Sequence, residues 1–249
     1  MFYGTNAHKV VPASRRERRT AMQVNDLHPW DVTYREAVAI QQALKQKLVL
    51  CEDDSPCRIT SIAGADLSYS KRSDLFFASV ILLSWPSLSV IEEASSIGKA
   101  SFPYIPGLLS FREGPALLKA FNALRQTPDC VIFDGHGIAH PRNMGLASHM
   151  GIILGLPSIG CAKKRLVGFH DEVGCTVGDY TALLHDEQIV GAVLRTKARV
   201  KPVFISQGHK IGLKRAVEVI LSCCRGYRLP EPVRLAHLAV NRLRASHGS

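Results

Sequence analysis

A run of apolar residues that ends in a carboxylate, Val131-Ile132-Phe133-Asp134, constrains this chain more than any other feature. Without alternation, Val, Ile and Phe suit a short strand covered on both faces, which requires a sheet with a layer on each side. Gly135-His136-Gly137-Ile138-Ala139-His140 follows, so the strand delivers Asp134 to a glycine-opened loop with two histidines. Polar chemistry at the end of a covered strand points to a site at the sheet edge, where loops carry function.

The flanking segments supply such a sheet. Thr33 with Glu36 three residues on forms a capping box for a helix to about Leu48, its apolar face being Ala37, Ile40, Leu44 and Leu48. Cys51–Arg58, rich in acids with Ser and Pro, reads as a connector. Strands are expected at Ile59–Tyr69, Leu75–Leu83 and Leu88–Ala94, and the short turns between them imply an antiparallel meander. Pro115 suits the first turn of a helix to about Arg125. After the Asp134 strand come a helix over Met144–Leu154 and a strand Ser158–Ala162 ending at Lys163. This β-α-β alternation implies parallel pairing with right-handed crossovers. Further strands are expected at Ile189–Arg195 and Val203–Ser206, and a helix over Lys214–Cys224 stopped by Gly226. Three antiparallel strands followed by parallel β-α-β units make an α/β mixed sheet flanked by helices, in the order of the RNase H-like architecture.

At 249 residues the chain is long enough for one large core. Residues 1–27 are polar and Arg-rich and read as a disordered basic extension, 28–240 as a single domain, and 241–249 as a tail. No apolar run is long enough to span a membrane, and no apolar core of a secretory signal precedes the domain, so a cytoplasmic chain without a membrane partner is expected. Seven cysteines without a C-x-x-C pair fit reduced thiols better than a disulfide framework or a zinc site. The net charge of +10 favours a polyanionic partner. It equally fits a chain that is merely kept in solution.

Asp66 lies in the body of an otherwise apolar strand, where an uncompensated carboxylate costs several kcal/mol. It is either bonded to backbone or a cation, or it shares a site with Asp134. Two carboxylates about 4 Å apart would repel by roughly 4 kcal/mol at an effective dielectric near 20, and a divalent cation removes that conflict. Mg²⁺ prefers oxygen ligands and needs only one or two carboxylates beside water and phosphate. Glu113 is either a third acid of that set or an exposed residue near a helix start. His136 and His140 are spaced as a zinc pair would be on a helix, but Gly135 and Gly137 argue against a helix there. They can instead orient water or shuttle protons. Lys163 can stabilise developing negative charge beside Asp134, or be one of three surface cations in Lys163-Lys164-Arg165. Tyr104, between Pro103 and Ile105-Pro106, is either a core aromatic or a rigid wedge of the kind inserted between bases. His209 follows another apolar strand and glycine, which suggests several loops converging on one edge.

Gly64-Ala65-Asp66, Phe102–Glu113 (FPYIPGLLSFRE), Asp134–Arg142 (DGHGIAHPR), Gly160–Leu166 (GCAKKRL), Gly208-His209 and the Gly226–Pro232 stretch together resemble the endonuclease V family of deoxyinosine 3′-endonucleases. The resemblance runs in order from about Asp31 to Pro232. It implies an RNase H-like fold and Mg²⁺-dependent hydrolysis, with Mn²⁺ as a substitute, of the second phosphodiester 3′ to a deaminated base. The products would be a 3′-hydroxyl and a 5′-phosphate. By motif, Asp66, Asp134 and Glu113 would bind metal, with Lys163 and His209 supporting catalysis. Tyr104, Pro103, Ile105, Pro106, His140 and Arg142 would contact DNA. Gly135, Gly137 and His140 would frame a pocket for the flipped base, the glycines letting backbone amides come close. Inosine pairs weakly, so extruding it is easier than extruding a normal base. Cys161 and Gln207 depart from the pattern without touching a proposed catalytic group. Competing expectations are an inosine-specific endoribonuclease of the same fold and a non-catalytic nucleic-acid binder. A monomer acting on DNA with deaminated bases is expected, with inosine RNA as the alternative substrate.

Overall fold

The computed structural model describes residues 24–52, 58–70, 74–99 and 101–247. Most of the expected N-terminal extension, the middle of the 51–58 connector and part of the first meander turn lie outside them. Val24 and Leu27, grouped by sequence with the extension, pack against the core, and the Asn25 amide donates to Ile153 O.

The first helix, α1 (Tyr34–Lys45), opens with the expected capping box, Thr33 Oγ1 accepting from the Glu36 amide and the Glu36 carboxylate accepting from the Thr33 amide. Strands β1 (Ser61–Tyr69), β2 (Leu75–Ser84) and β3 (Val90–Lys99) form the antiparallel meander. Then come α2 (Leu109–Asn122), β4 (Cys130–Phe133), α3 (Leu146–Leu154) and β5 (Ser158–Ala162). The remainder is β6 (Tyr180–His185), β7 (Gln188–Leu194), β8 (Val203–His209), α4 (Leu213–Ser222) and α5 (Glu231–Ser246). All eight strands join one sheet in the order β3-β2-β1-β4-β5-β8-β7-β6. β1, β4 and β5 run parallel, with Ala65 opposite Phe133 and Phe133 opposite Gly160.

Two-residue periodicity assigns β4 to both layers. Val131 and Phe133 pack with Ala63 and Ala65 against α2 and α3, while Cys130 and Ile132 pack with Ile62 against α4 and Val233 of α5. Phe133 is fully buried, which stabilises the strand by about 1.5–3 kcal/mol. The α5 layer lies so close to β1 that a Cβ on Gly64 would stand 2.0 Å from the Pro232 carbonyl carbon, so only glycine fits there.

Four expectations need correction. Helix α2 starts six residues before Pro115 and contains that proline; burial of Ser110, Phe111, Gly114 and Leu117 outweighs the one backbone bond proline cannot make. Strand β6, unpredicted, is a half-exposed edge strand whose alternation carries little apolar signal. Helix α5 was also unpredicted, because it opens on Pro230-Glu231-Pro232, a sequence that reads as a turn. It runs to Ser246, so most of the supposed 241–249 tail is helical.

Candidate active site

The parallel strands β1, β4 and β5 end at the same side of the sheet, which places Asp66, Asp134 and Lys163 next to one another. Helix α2 crosses the adjacent face and adds Glu113. The four line one cavity of about 220 Å³ together with Ala65, Leu67, Leu117 and Leu146. Glu113 therefore comes from inside a helix rather than from the approach to one.

Charges in this cavity are close enough to oppose one another. Burial, then the negative charges of Asp66 and Asp134, pushes the Glu113 carboxyl up to about 8. Asp66 is also raised, chiefly by burial and then by Asp134, against the lowering effect of a hydrogen bond from His237. The Lys163 ammonium donates to Asp134 Oδ2, so the reading of Lys163 as an Asp134 partner holds over that of a free surface cation.

His237, on α5, was not anticipated. Its Nδ1 lies 2.7 Å from Asp66 Oδ2, and Asn241 Nδ2 lies 3.0 Å from its Nε2. With the amide donating to Nε2, the ring proton sits on Nδ1 and is donated to Asp66. The sequence signal for this pair is its i, i+4 spacing, which carries meaning only once α5 is known to be a helix.

A second cavity, about 160 Å³, lies against the first and shares Leu146 with it. Its lining includes Tyr104, Ile105, Pro106, Gly107, Gly135, His136 and His140. Tyr104 is 69% exposed at its mouth, which excludes the core reading, while Ile105 packs inward beside Phe102 and Phe111. Pro103 and Pro106 are exposed on either side. The Gly107 carbonyl accepts from Gln41 Nε2, His140 Nε2 and Arg142 Nη2 at 3.0, 3.0 and 2.6 Å. His140 and Arg142, expected at the DNA surface, thus hold the Tyr104 loop from beneath. Burial and then the Arg142 charge lower the His140 ring to about 4, so it is neutral.

Other expected residues have different tasks. Gly137 does not line the second cavity: a Cβ there would lie 1.9 Å from Gln207 O, so its glycine serves contact with β8. Gly135 does line it. His209 is not brought to the carboxylates. Strand β8 is antiparallel to β5, and His209 pairs with Ser158, three residues before the level of Asp134 or roughly 10 Å along the strands. There it is buried, and its Nδ1 accepts from the Val49 amide. His136 and His140 form no zinc pair. His136 Nε2 bonds to Lys164 O, its Nδ1 has no partner among the described residues, and His140 is committed to Gly107.

Among the described residues no three His, Cys, Asp or Glu side chains stand in ready ligand geometry, since Lys163 and His237 occupy one oxygen each of Asp134 and Asp66. The donor chemistry nevertheless suits a hard divalent cation: three carboxylates around one polar cavity, two with raised pKa values that a cation would relieve.

Residues 42–238 match the family model for endonuclease V. The chain is 49% identical over 222 residues to endonuclease V of Dehalococcoides mccartyi, covering 89% of this chain and 99% of that protein. It superposes on the crystal structure of endonuclease V from Bacillus subtilis with a TM-score of 0.86 at 35% identity, over 91% of this chain and 99% of the other. It is also similar to Ciona intestinalis endonuclease V (26% identity, TM-score 0.75, covering 85% and 98%), whose structure is a complex with a 24mer DNA containing an inosine followed by a ribo-adenosine.

Proposed function

The chain belongs to the endonuclease V family, and on that premise we propose that it nicks DNA beside deaminated bases, chiefly deoxyinosine. It hydrolyses the second phosphodiester bond 3′ to the lesion and leaves a 3′-hydroxyl and a 5′-phosphate. The observation that carries this reading is the adjacency of the two cavities. One gathers Asp66, Glu113, Asp134 and Lys163, and the other opens beneath Tyr104 and the Gly135 backbone.

Asp66, Asp134 and Glu113 would hold Mg²⁺, or Mn²⁺ in its place. That ion would supply a water of lowered pKa and offset charge on the scissile phosphate. Lys163 adds a positive charge at the same position and holds Asp134 in orientation. His237 fixes the rotamer of Asp66, and Asn241 fixes the tautomer of His237. Tyr104 fills the gap left by an extruded base, and the second cavity receives the base itself. His140 and Arg142 support this by keeping the Tyr104 loop in place through Gly107.

The test is cleavage by purified protein with Mg²⁺ of an inosine-containing duplex against the same duplex without inosine. Nicking of the inosine strand alone, with the cut mapped one bond beyond the lesion's 3′ neighbour bond, is expected; equal cutting of both, or none, overturns the reading. RNA is a second reading, favoured by the ribo-adenosine after inosine in the Ciona ligand. Ribo and deoxyribo versions of one oligonucleotide compared by rate decide between them. The reading has the chain act as a monomer in the cytoplasm; sedimentation and localisation of a tagged chain test these points.

A further inference from the structure

The carboxylate cavity is flanked on its other side by a group of cations that the reaction as described above leaves without a task. The second cavity lies on the α2–α3 face of the sheet. The connection from β7 to β8 carries Lys197, Arg199 and Lys201, all exposed, and is tied toward the opposite, α4–α5 face by Thr196, whose Oγ1 donates to Arg228 O in the link between those helices. This connection leaves the sheet beside Lys163, because Ala162 of β5 pairs with Phe204 of β8. Arg228 joins the two, donating through Nη2 to Lys163 O at 2.7 Å and to Pro202 O at 2.9 Å. Tyr227, exposed next to it, has the Arg234 guanidinium 4.4 Å and the Lys197 ammonium 6.0 Å from its ring centroid.

The cations there are not offset. From Gln188 to Val217 the sequence holds no Asp or Glu. Glu231, an acid close to the cluster, is bound by Arg234 at 2.7 Å. Lys197, Arg199 and Lys201 form no ion pair with a carboxylate among the described residues. Like charges gathered beside one another without acids repel, and a phosphate chain relieves that repulsion while releasing its counterions.

We propose that Lys197, set over the Tyr227 ring, together with Arg199 and Lys201 forms a track for the substrate backbone 3′ to the scissile bond. Direction follows from the order of features across the sheet edge. A strand whose base enters the α2–α3 cavity crosses the carboxylates and reaches the α4–α5 face, and if the cut lies 3′ of the lesion, what crosses is the 3′ flank. The inference rests on the function proposed above.

The test is a variant with Lys197→Gln, Arg199→Asn and Lys201→Gln, asparagine being chosen because Arg199 has φ of 61°. Binding of inosine oligonucleotides is measured in chelator across salt concentrations, with a melting curve to verify folding. Lys45, Lys47 and Lys119, exposed cations elsewhere, are replaced by Gln as a control. For the track variant we expect affinity reduced at least tenfold, and a log–log salt slope shallower by about 2 to 3, at roughly 0.7–0.9 per phosphate contact. The loss should vanish on oligonucleotides that end just 3′ of the cleavage position and persist on those shortened on the 5′ side. An unchanged slope, a loss equal to that of the control, or dependence on the 5′ flank overturns the track while leaving the function in place. Absence of any preference for inosine in the unmodified protein is instead a failure of the function.

Discussion

Asp134 binds Lys163 and shares its cavity with two further acids, so on the proposed function removing its charge would disturb both cation and phosphate handling. Asp134→Asn should lower single-turnover cleavage of inosine DNA by roughly a thousandfold while binding, which the proposed function assigns to Tyr104 and the second cavity, stays within a few-fold. Loss of binding in parallel with cleavage would contradict the assignment. Tyr104 differs because it is exposed. Tyr104→Ala should leave stability within about 0.5 kcal/mol and weaken inosine-DNA affinity about tenfold, from a stacking contribution of about 1–3 kcal/mol. Gly137→Ala tests the reassignment of that glycine to packing. Its Cβ would meet the Gln207 carbonyl, so a destabilisation of about 3 kcal/mol or more is expected in urea melts, where a pocket-lining glycine would change binding alone.

At the scale of elements, α5 carries the surprise. It covers β1 and β2, donates His237 to Asp66 and reaches Ser68 through Arg244. Ending the chain after Val240 removes Asn241 and Arg244, and should lower the melting temperature by about 5 °C and slow cleavage in Mg²⁺; full activity in the shortened chain would show that the His237 tautomer is set otherwise. Helix α2 explains how Glu113 was legible as a residue and misplaced as a position. Its motif is local, but a helix running through Pro115 depends on Phe111 and Leu117 finding neighbours in two separate clusters. His209 lies away from the carboxylates for a related reason: strand and glycine are local signals, whereas the direction of β8 depends on pairing with β5.

The whole molecule is tied together by buried polar contacts between distant segments. His28, ahead of α1, bonds His149 of α3 at 2.7 Å, and His149 bonds Ser110 of α2 at 2.7 Å. Burial and then the neighbouring His28 lower the His149 ring to about 3. A histidine with depressed folded pKa takes up its proton on unfolding, so its contribution to stability is present above about 6.5 and is lost as pH falls toward about 3. Denaturant melts between those limits should show stability falling with pH, and His149→Gln should flatten part of that slope; an unchanged slope would place the acid sensitivity elsewhere.

By itself the sequence determined the strand that delivers Asp134, the meander that delivers Asp66, the capping box of α1 and the motifs that mark Glu113, Lys163 and Tyr104. All of these depend on residues within a few positions of one another, on hydrophobic period, turn chemistry or short motifs. Only the tertiary structure decided that His237 and not His209 meets the carboxylates, that His140 and Arg142 support a loop, and that Gly137 serves a strand crossing. Those outcomes rest on strand direction and on the docking of a polar helix, which are settled by contacts between residues far apart in the chain.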